Sequence, residues 1–284
     1  MKIRIIAAAL LAVAAATTAF ALDKNFDRTL NVNAAPAFSI STGSGYIHLR
    51  LGSDNQVHIV GHVHASNSWF SGDSDSRVQQ IANNPPIVQS GTIIAIGENH
   101  SRDLFRNISI DYDVTLPRAS SIRANTGSGD IQIQDVGSTL KAGSGSGSVQ
   151  ARGIHGSADL QTGSGDIELQ QTAGGDVRAQ TGSGSIRLSG LSGGLKAGTG
   201  SGDIEASGQP TADWKLDTGS GSIQLALGAS ARYTLNASTG SGSIHTDQPI
   251  AMQGEINSHH VNGTVNGGGP TIRANTGSGD IAIQ

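Results

Sequence analysis

Ile122–Ile131 reads IRANTGSGDI, and Ile272–Ile281 reads the same ten letters. Around them the core Thr-Gly-Ser-Gly-(Asp/Ser/Tyr)-Ile returns at Thr42–Ile47, Thr162–Ile167, Thr181–Ile186, Thr199–Ile204, Thr218–Ile223 and Thr239–Ile244. Ser144–Val149 (SGSGSV) is a softened copy. From Thr126 the starts fall at 126, 144, 162, 181, 199, 218 and 239, in steps of 18, 18, 19, 18, 19 and 21. The next start, 276, lies 37 further on and reads as two more steps. A catalytic motif rarely needs copies. A short fixed period is the mark of stacked units, none of which buries its own apolar face.

Each unit carries two strands. Before the turn, apolar and small residues alternate with polar ones: Ile122/Ala124, Leu140/Ala142, Ala158/Leu160, Val177/Ala179, Leu195/Ala197, Trp214/Leu216, Leu235/Ala237 and Ile272/Ala274. After it come Ile131/Ile133, Val149/Ala151, Ile167/Leu169, Ile186/Leu188, Ile204/Ala206, Ile223/Leu225, Ile244 and Ile281/Ile283. Period two predicts half-buried strands. Gly-Ser-Gly between them is expected to supply positive φ at the turn. About 18 residues is short for a propeller blade and fits one coil of a β-solenoid. The chain therefore reads as all-β, a single-domain β-helix turning at these corners. A β-sandwich or meander of the same strands is the alternative.

In a solenoid, equivalent residues stack about 4.7–4.9 Å apart. Three positions before each turn Thr stand Arg123, Lys141, Asp159, Arg178, Lys196, Lys215, Asn236 and Arg273. Arg123, Lys141, Arg178, Lys196 and Lys215 form the candidate polyanion-binding stripe, interrupted at Asp159; an ordinary charged outer face is the plainer reading. After the turn, Glu168, Arg187 and Glu205 alternate in sign, which suits adjacent strands. The residue before the turn Ile runs Asp130, Ser148, Asp166, Ser185, Asp203, Ser222, Ser243. Skipping alternate coils separates the carboxylates. Disordered Gly-Ser sequence has no reason to do this.

Residues 1–21 read as a secretory signal peptide: Lys2 and Arg4, the apolar run Ile5–Ala16, then Ala19-Phe20-Ala21. The mature chain is expected to be exported, to the periplasm or cell surface, with no transmembrane segment after cleavage. There are no cysteines among 284 residues, so burial and backbone pairing must supply stability. A formal net charge of −4 argues against a nucleic-acid partner. Residues 22–121 read as an N-terminal β region with an irregular insertion (about 65–106), and 122–284 as the regular repeats. Gln56–His64, Thr92–Ile96 and Asn107–Leu116 are strands. Asp73 or Ser74 could cap a short helix through Arg77–Ala82, stopped by Pro85-Pro86. Trp69 and Phe70 would plug one end of the core. The chain stops at Gln284 straight after a strand, so either the loop around Gly254–Pro270 or another molecule must cover that edge.

Phe38-Ser39-Ile40 with the first turn, Asp111–Pro117 (DYDVTLP) and the Thr-Gly-Ser-Gly-Asp-Ile copies together resemble the bacterial "putative adhesin" family of β-strand-repeat proteins, a domain of unknown function. The resemblance spans nearly all of the mature chain. It implies a surface or adhesive role and brings no catalytic residue.

The residues themselves point to no reaction. Gly143–Ser148 is Gly-rich but leads into a strand and lacks the phosphate-binding Lys. The repeated Gly-Ser-Gly lacks nucleophile-elbow spacing. Asp130, Asp166, Asp203 and Asp280 offer too few oxygens for calcium and are expected to satisfy turn N–H groups. His58, His62 and His64 share strand parity, yet no nearby acid or Cys in sequence completes a metal site. His259-His260 reads as loop. Glu168 and Glu205 would lie about 9–10 Å apart with Arg187 between them, as a charge ladder and not a glycosidase pair. No catalytic residue, cofactor or metal is expected. The expected function is a non-enzymatic exported adhesin-like scaffold or binding module, its partner an envelope or extracellular polysaccharide or another protein; the alternative is a carbohydrate-active β-helix enzyme. The oligomeric state is left open.

Overall fold

The computed structural model describes residues 23–33, 35–65, 74–98, 103–252 and 259–284. The signal peptide, the Trp69/Phe70 plug and an Asp73 cap fall outside them. The N-terminal region contains β1 (Lys24–Asn31), β2 (Ala37–Thr42), β3 (Ile47–Leu51), β4 (Gln56–Ala65), helix α1 (Ser74–Asn83), β5 (Ile87–Ser90), β6 (Ile93–Ile96) and β7 (Ile108–Leu116). The repeats follow as β8 (Ser121–Thr126), β9 (Ile131–Gln134), β10 (Thr139–Ser144), β11 (Val149–Ile154), β12 (Ser157–Thr162), β13 (Ile167–Gln171) and β14 (Val177–Thr181). Then come β15 (Ile186–Thr199), β16 (Ile204–Ser220), β17 (Ile223–Leu227), β18 (Tyr233–Ser241), β19 (Ile244–Thr246), β20 (Ile250–Met252), β21 (His260–Val265), β22 (Thr271–Ser278) and β23 (Ile281–Ile283).

These strands wind into a β-solenoid with two faces. Strands leading into each corner stack in parallel as β6, β2, β8, β10, β12, β14 and the C-terminal halves of β15 and β16. Strands leaving each corner stack as β7, β3, β9, β11, β13, the N-terminal halves of β15 and β16, then β17. The inward residues read from the alternation are the core: Ile122, Ala124, Ile131, Leu160, Ile167, Ala197 and Trp214 are all under 5 % exposed. On the first face, Ala124, Ala142, Ala179 and Ala197 leave room for larger inward neighbours.

Thr162 lies beside Thr181, and Thr181 beside Thr199, in strict register. The column is built by hydrogen bonds. The Thr162 hydroxyl donates to the Gly147 carbonyl of the coil before (2.7 Å), and Thr181 does the same to Gly165 (2.8 Å). The same oxygen accepts the N–H of its own corner's second glycine, Gly165 to Thr162 at 3.2 Å. Each buried hydroxyl thus ties one corner to the next.

Most corner glycines have a different cause from the one expected. Gly45, Gly242 and Gly279 have φ of 122°, 156° and 155°, but Gly127, Gly129, Gly145, Gly147, Gly163 and Gly165 are not in the left-handed region. They are needed because coils approach backbone to backbone. A Cβ at Gly163 would run into the Gly145 carbonyl, and one at Gly165 into Gly147. At these six positions close stacking, and not turn chirality, selects the residue.

The start at 276 is not two steps beyond 239. β22 pairs in parallel with β16 on one side and β18 on the other, and β23 lies between β17 and β19. The last strands are threaded between two coils that are consecutive in sequence. Gln284 is therefore not at a bare edge: its N–H donates to the Leu225 carbonyl and its own carbonyl accepts from Leu227, both at 2.9 Å. The terminal coil is β18, covered by β21 running antiparallel to it, with β20 beyond. Neither expected cover flanks Gln284; the segment after 258 covers β18 instead.

The other end is finished by antiparallel strands. β4 pairs with β7, and β1 with β4. Helix α1 packs on β1 and β4 through buried Val78 and Ile81. Phe26 meets Tyr112 edge to face at 6.2 Å.

Candidate functional site

The strands of the first face place one outward residue per coil on a line. Arg123, Lys141, Asp159, Arg178, Lys196 and Lys215 are direct register partners in that order. All five cations are exposed. The threading of β22 adds one that sequence order hid: Arg273 lies beside Lys215, and Asn236 beside Arg273. Four neighbouring coils thus carry Arg178, Lys196, Lys215 and Arg273 with no acid in the row. Lys141 reaches Asp159 (3.5 Å), Lys215 reaches Asp217 (3.2 Å) and Arg178 donates to Gln180 (2.8 Å). Among the described residues Arg123, Lys196 and Arg273 form no ion pair. A trough of about 770 Å³ runs beside this row, from Ile93 and Phe38 past Leu140 and Val177 to Lys196.

The second face handles charge in the opposite way. Glu168, Arg187 and Glu205 are register neighbours, and Arg187 Nε lies 3.6 Å from Glu205. Glu168 is held instead by Arg152, whose Nε and Nη2 both donate to it at 2.9–3.1 Å. Both glutamates are engaged by arginine on an open sheet face, the ladder the sequence predicts.

The corner carboxylates cap backbone. Asp130 accepts the Ser148 N–H, Asp166 that of Ser185, and Asp203 that of Ser222, each at 2.8 Å. Asp280 accepts both the N–H (2.8 Å) and the hydroxyl (3.0 Å) of Ser243, which hold its carboxyl below the usual Asp range. Through the threaded strand the order in space becomes Asp203, Ser222, Asp280, Ser243, so the alternation continues to the end of the stack.

The histidines need a correction. The acids missing nearby in sequence are brought in by neighbouring strands. His58 meets Asp27 (2.9 Å), and His64 lies between Asp23 (3.1 Å) and Asp111 (3.3 Å). His62 sits between Asn25 (3.0 Å) and Asp113 (3.6 Å). Asp113 is also approached by His48, Arg50 and the Tyr46 hydroxyl at 3.2–3.4 Å. Tyr46 stacks on His48 at 4.2 Å, and burial, then Asp113, pushes its phenol up. These contacts lace β1, β4, β7 and β3 across their outer surface. Among the described residues no three such groups are placed to hold a metal. His260 is exposed at the start of β21. Gly190–Gly194 (GLSGG) has nucleophile-elbow spacing, but it lies within β15, a strand, and not at a strand-to-helix turn.

The repeats, their corners and the DYDVTLP strand all fall within one family model, that of Toastrack DUF4097, matched over residues 38–284. The chain belongs to the Toastrack DUF4097 family. No curated protein matches it. Among solved structures, this Toastrack chain is similar to a "putative cell adhesion protein" from Clostridium sporogenes ATCC 15579, at 13% identity over 92% of this chain and 99% of that one, TM-score 0.26. A "putative adhesin" from Bacteroides fragilis NCTC 9343 matches at 14% identity over 92% and 97%, TM-score 0.33. At these scores the likenesses carry no weight for function. No described helix of the Toastrack chain is long and apolar enough to cross a membrane.

Proposed function

We propose that this Toastrack protein is an exported, non-enzymatic adhesin-like module that binds through its outer faces. One observation carries the reading most directly. Its polar side chains are ordered as rows along the solenoid, each row serving the stack or facing solvent, and the acids nearest to a glycosidase pair are tied to Arg152 and Arg187. A general acid needs a raised pKa and room for a sugar between two carboxyls. Here Arg187 stands between the two glutamates on an open sheet face and occupies that room. Export is supported by the basic, apolar and small-residue pattern of residues 1–21.

Two measurements test the reading. Labelling of cells that express the full chain, before and after outer-membrane permeabilisation, should find the protein outside the cytoplasm. Purified mature chain incubated with envelope glycans should release no product. Turnover that is lost in Glu168→Gln would replace the module with the enzyme.

A further inference from the structure

The cation row and the trough beside it point to a ligand class. We propose that one extended strand of an anionic polysaccharide lies along this row, parallel to the solenoid axis, in the trough at Arg123, Lys141, Arg178 and Lys196 and continuing past its end over Lys215 and Arg273. The inference rests on the reading of the protein as an exported binding module.

The first argument is the contrast between the faces. Like charges directly opposite on neighbouring strands are destabilising. The second face obeys this rule with Glu168, Arg187 and Glu205. The first face breaks it four coils running, at Arg178, Lys196, Lys215 and Arg273. Among the described residues only Lys215 of these four is paired with an acid, Asp217, and a bound polyanion would neutralise the others.

The second argument is shape. From Arg123 to Arg273 there are six strand steps, about 29 Å at about 4.8 Å per step. The row is one charge wide, which fits a single linear chain and not a duplex. Along the row the cations recur at about one strand spacing, with one interruption at Asp159. The two acids in the lining are already occupied: Asp159 faces Lys141, and Asp176 accepts the Gly194 N–H at 2.8 Å.

Single-stranded nucleic acid is the competing polyanion. Its binding grooves stack bases on exposed aromatic rings. Phe38 is the aromatic residue of this lining, and it is only 2% exposed.

Binding of the mature chain to polygalacturonate, dextran sulfate, neutral dextran and single-stranded DNA tests the proposal, at low salt and at about 0.15 M salt. Retention on one or both acidic glycans, weakened by salt, with none on neutral dextran, is expected. Lys196→Gln/Lys215→Gln should weaken binding about tenfold, and Arg273→Gln about threefold. Arg187→Gln, which removes a cation from the second face, should change nothing. No retention at low salt, equal loss with Arg187→Gln, or equal binding of single-stranded DNA overturns the proposal. The first of these leaves a non-enzymatic exported module intact, whereas glycan turnover would overturn the module itself.

Discussion

Asp280 holds Ser243 by two hydrogen bonds, 2.8 Å to its N–H and 3.0 Å to its hydroxyl, although Ser243 precedes it by 37 residues and follows it in the stack. The contact joins the threaded C-terminal strand to the coil that was formed before it. Because those bonds favour the ionised form, the folded pKa lies below the unfolded one. The sign follows: the contribution is present above the ordinary Asp range, near 4, and is lost as pH falls through the lowered value. Asp280→Asn should therefore be less stable than the parent at neutral pH. The gap should close in urea titrations below about pH 4. A gap that persists unchanged in acid would deny the carboxylate this role.

The Thr column makes a sharper demand. Thr162→Val keeps the shape but leaves the Gly147 carbonyl and the Gly165 N–H without their partner. An unsatisfied buried group costs about 1–3 kcal/mol, and chemical denaturation should register a loss of that size. Thr162→Ser should cost less than about 1 kcal/mol, because only a methyl is removed. Ser144 already fills the equivalent place, donating to Gly129 at 2.8 Å and accepting from Gly147 at 2.8 Å.

Two glycines at the same motif position should behave oppositely. Gly43 belongs to the first corner, and a Cβ there meets nothing within 4 Å. Gly163 sits deep in the stack, where a Cβ meets the Gly145 carbonyl. Gly43→Ala should be neutral or stabilising by up to about 1 kcal/mol, through the unfolded chain. Gly163→Ala should destabilise by about 1–3 kcal/mol. Thermal melts of the two variants decide whether stacking, and not turn chirality, selects glycine here. Equal effects would refute that account.

The strands, the inward residues and the register of Thr162, Thr181 and Thr199 were legible because each is set by a local pattern repeated many times. The order of coils was not legible in the same way, because parallel pairing between similar coils tolerates any order that the connections allow. One signal was nevertheless present. Ser222 and Ser243 are successive copies, whereas every earlier pair from Asp130 onward alternates Asp with Ser. An Asp belongs between them, and Asp280 is the one that fills the gap. Reading that break would also have placed Arg273 beside Lys215. The acids around His58, His62 and His64 come from β1 and β7, which lie across the sheet and far along the chain. No spacing rule reaches them. The corner glycines misled for a simpler reason: positive φ and backbone crowding select the same residue.

The threading predicts an unusual response to truncation. In an ordinary solenoid each unit touches only its neighbours, and removing the last one in sequence frays an end. Here residues 271–284 are interior, bonded to β16 and β17 on one side and to β18 and β19 on the other. Ending the chain at residue 270 should therefore open two new edges at once and detach the cover formed by β18 and β21. Native-state hydrogen exchange should show lost protection at β16, β17 and β18, with the coils from β8 to β13 little changed. The exposed strands should also make the shortened chain prone to associate, visible as concentration-dependent light scattering. If protection at β16 to β18 survives the truncation, then β22 and β23 do not occupy the slot between those coils.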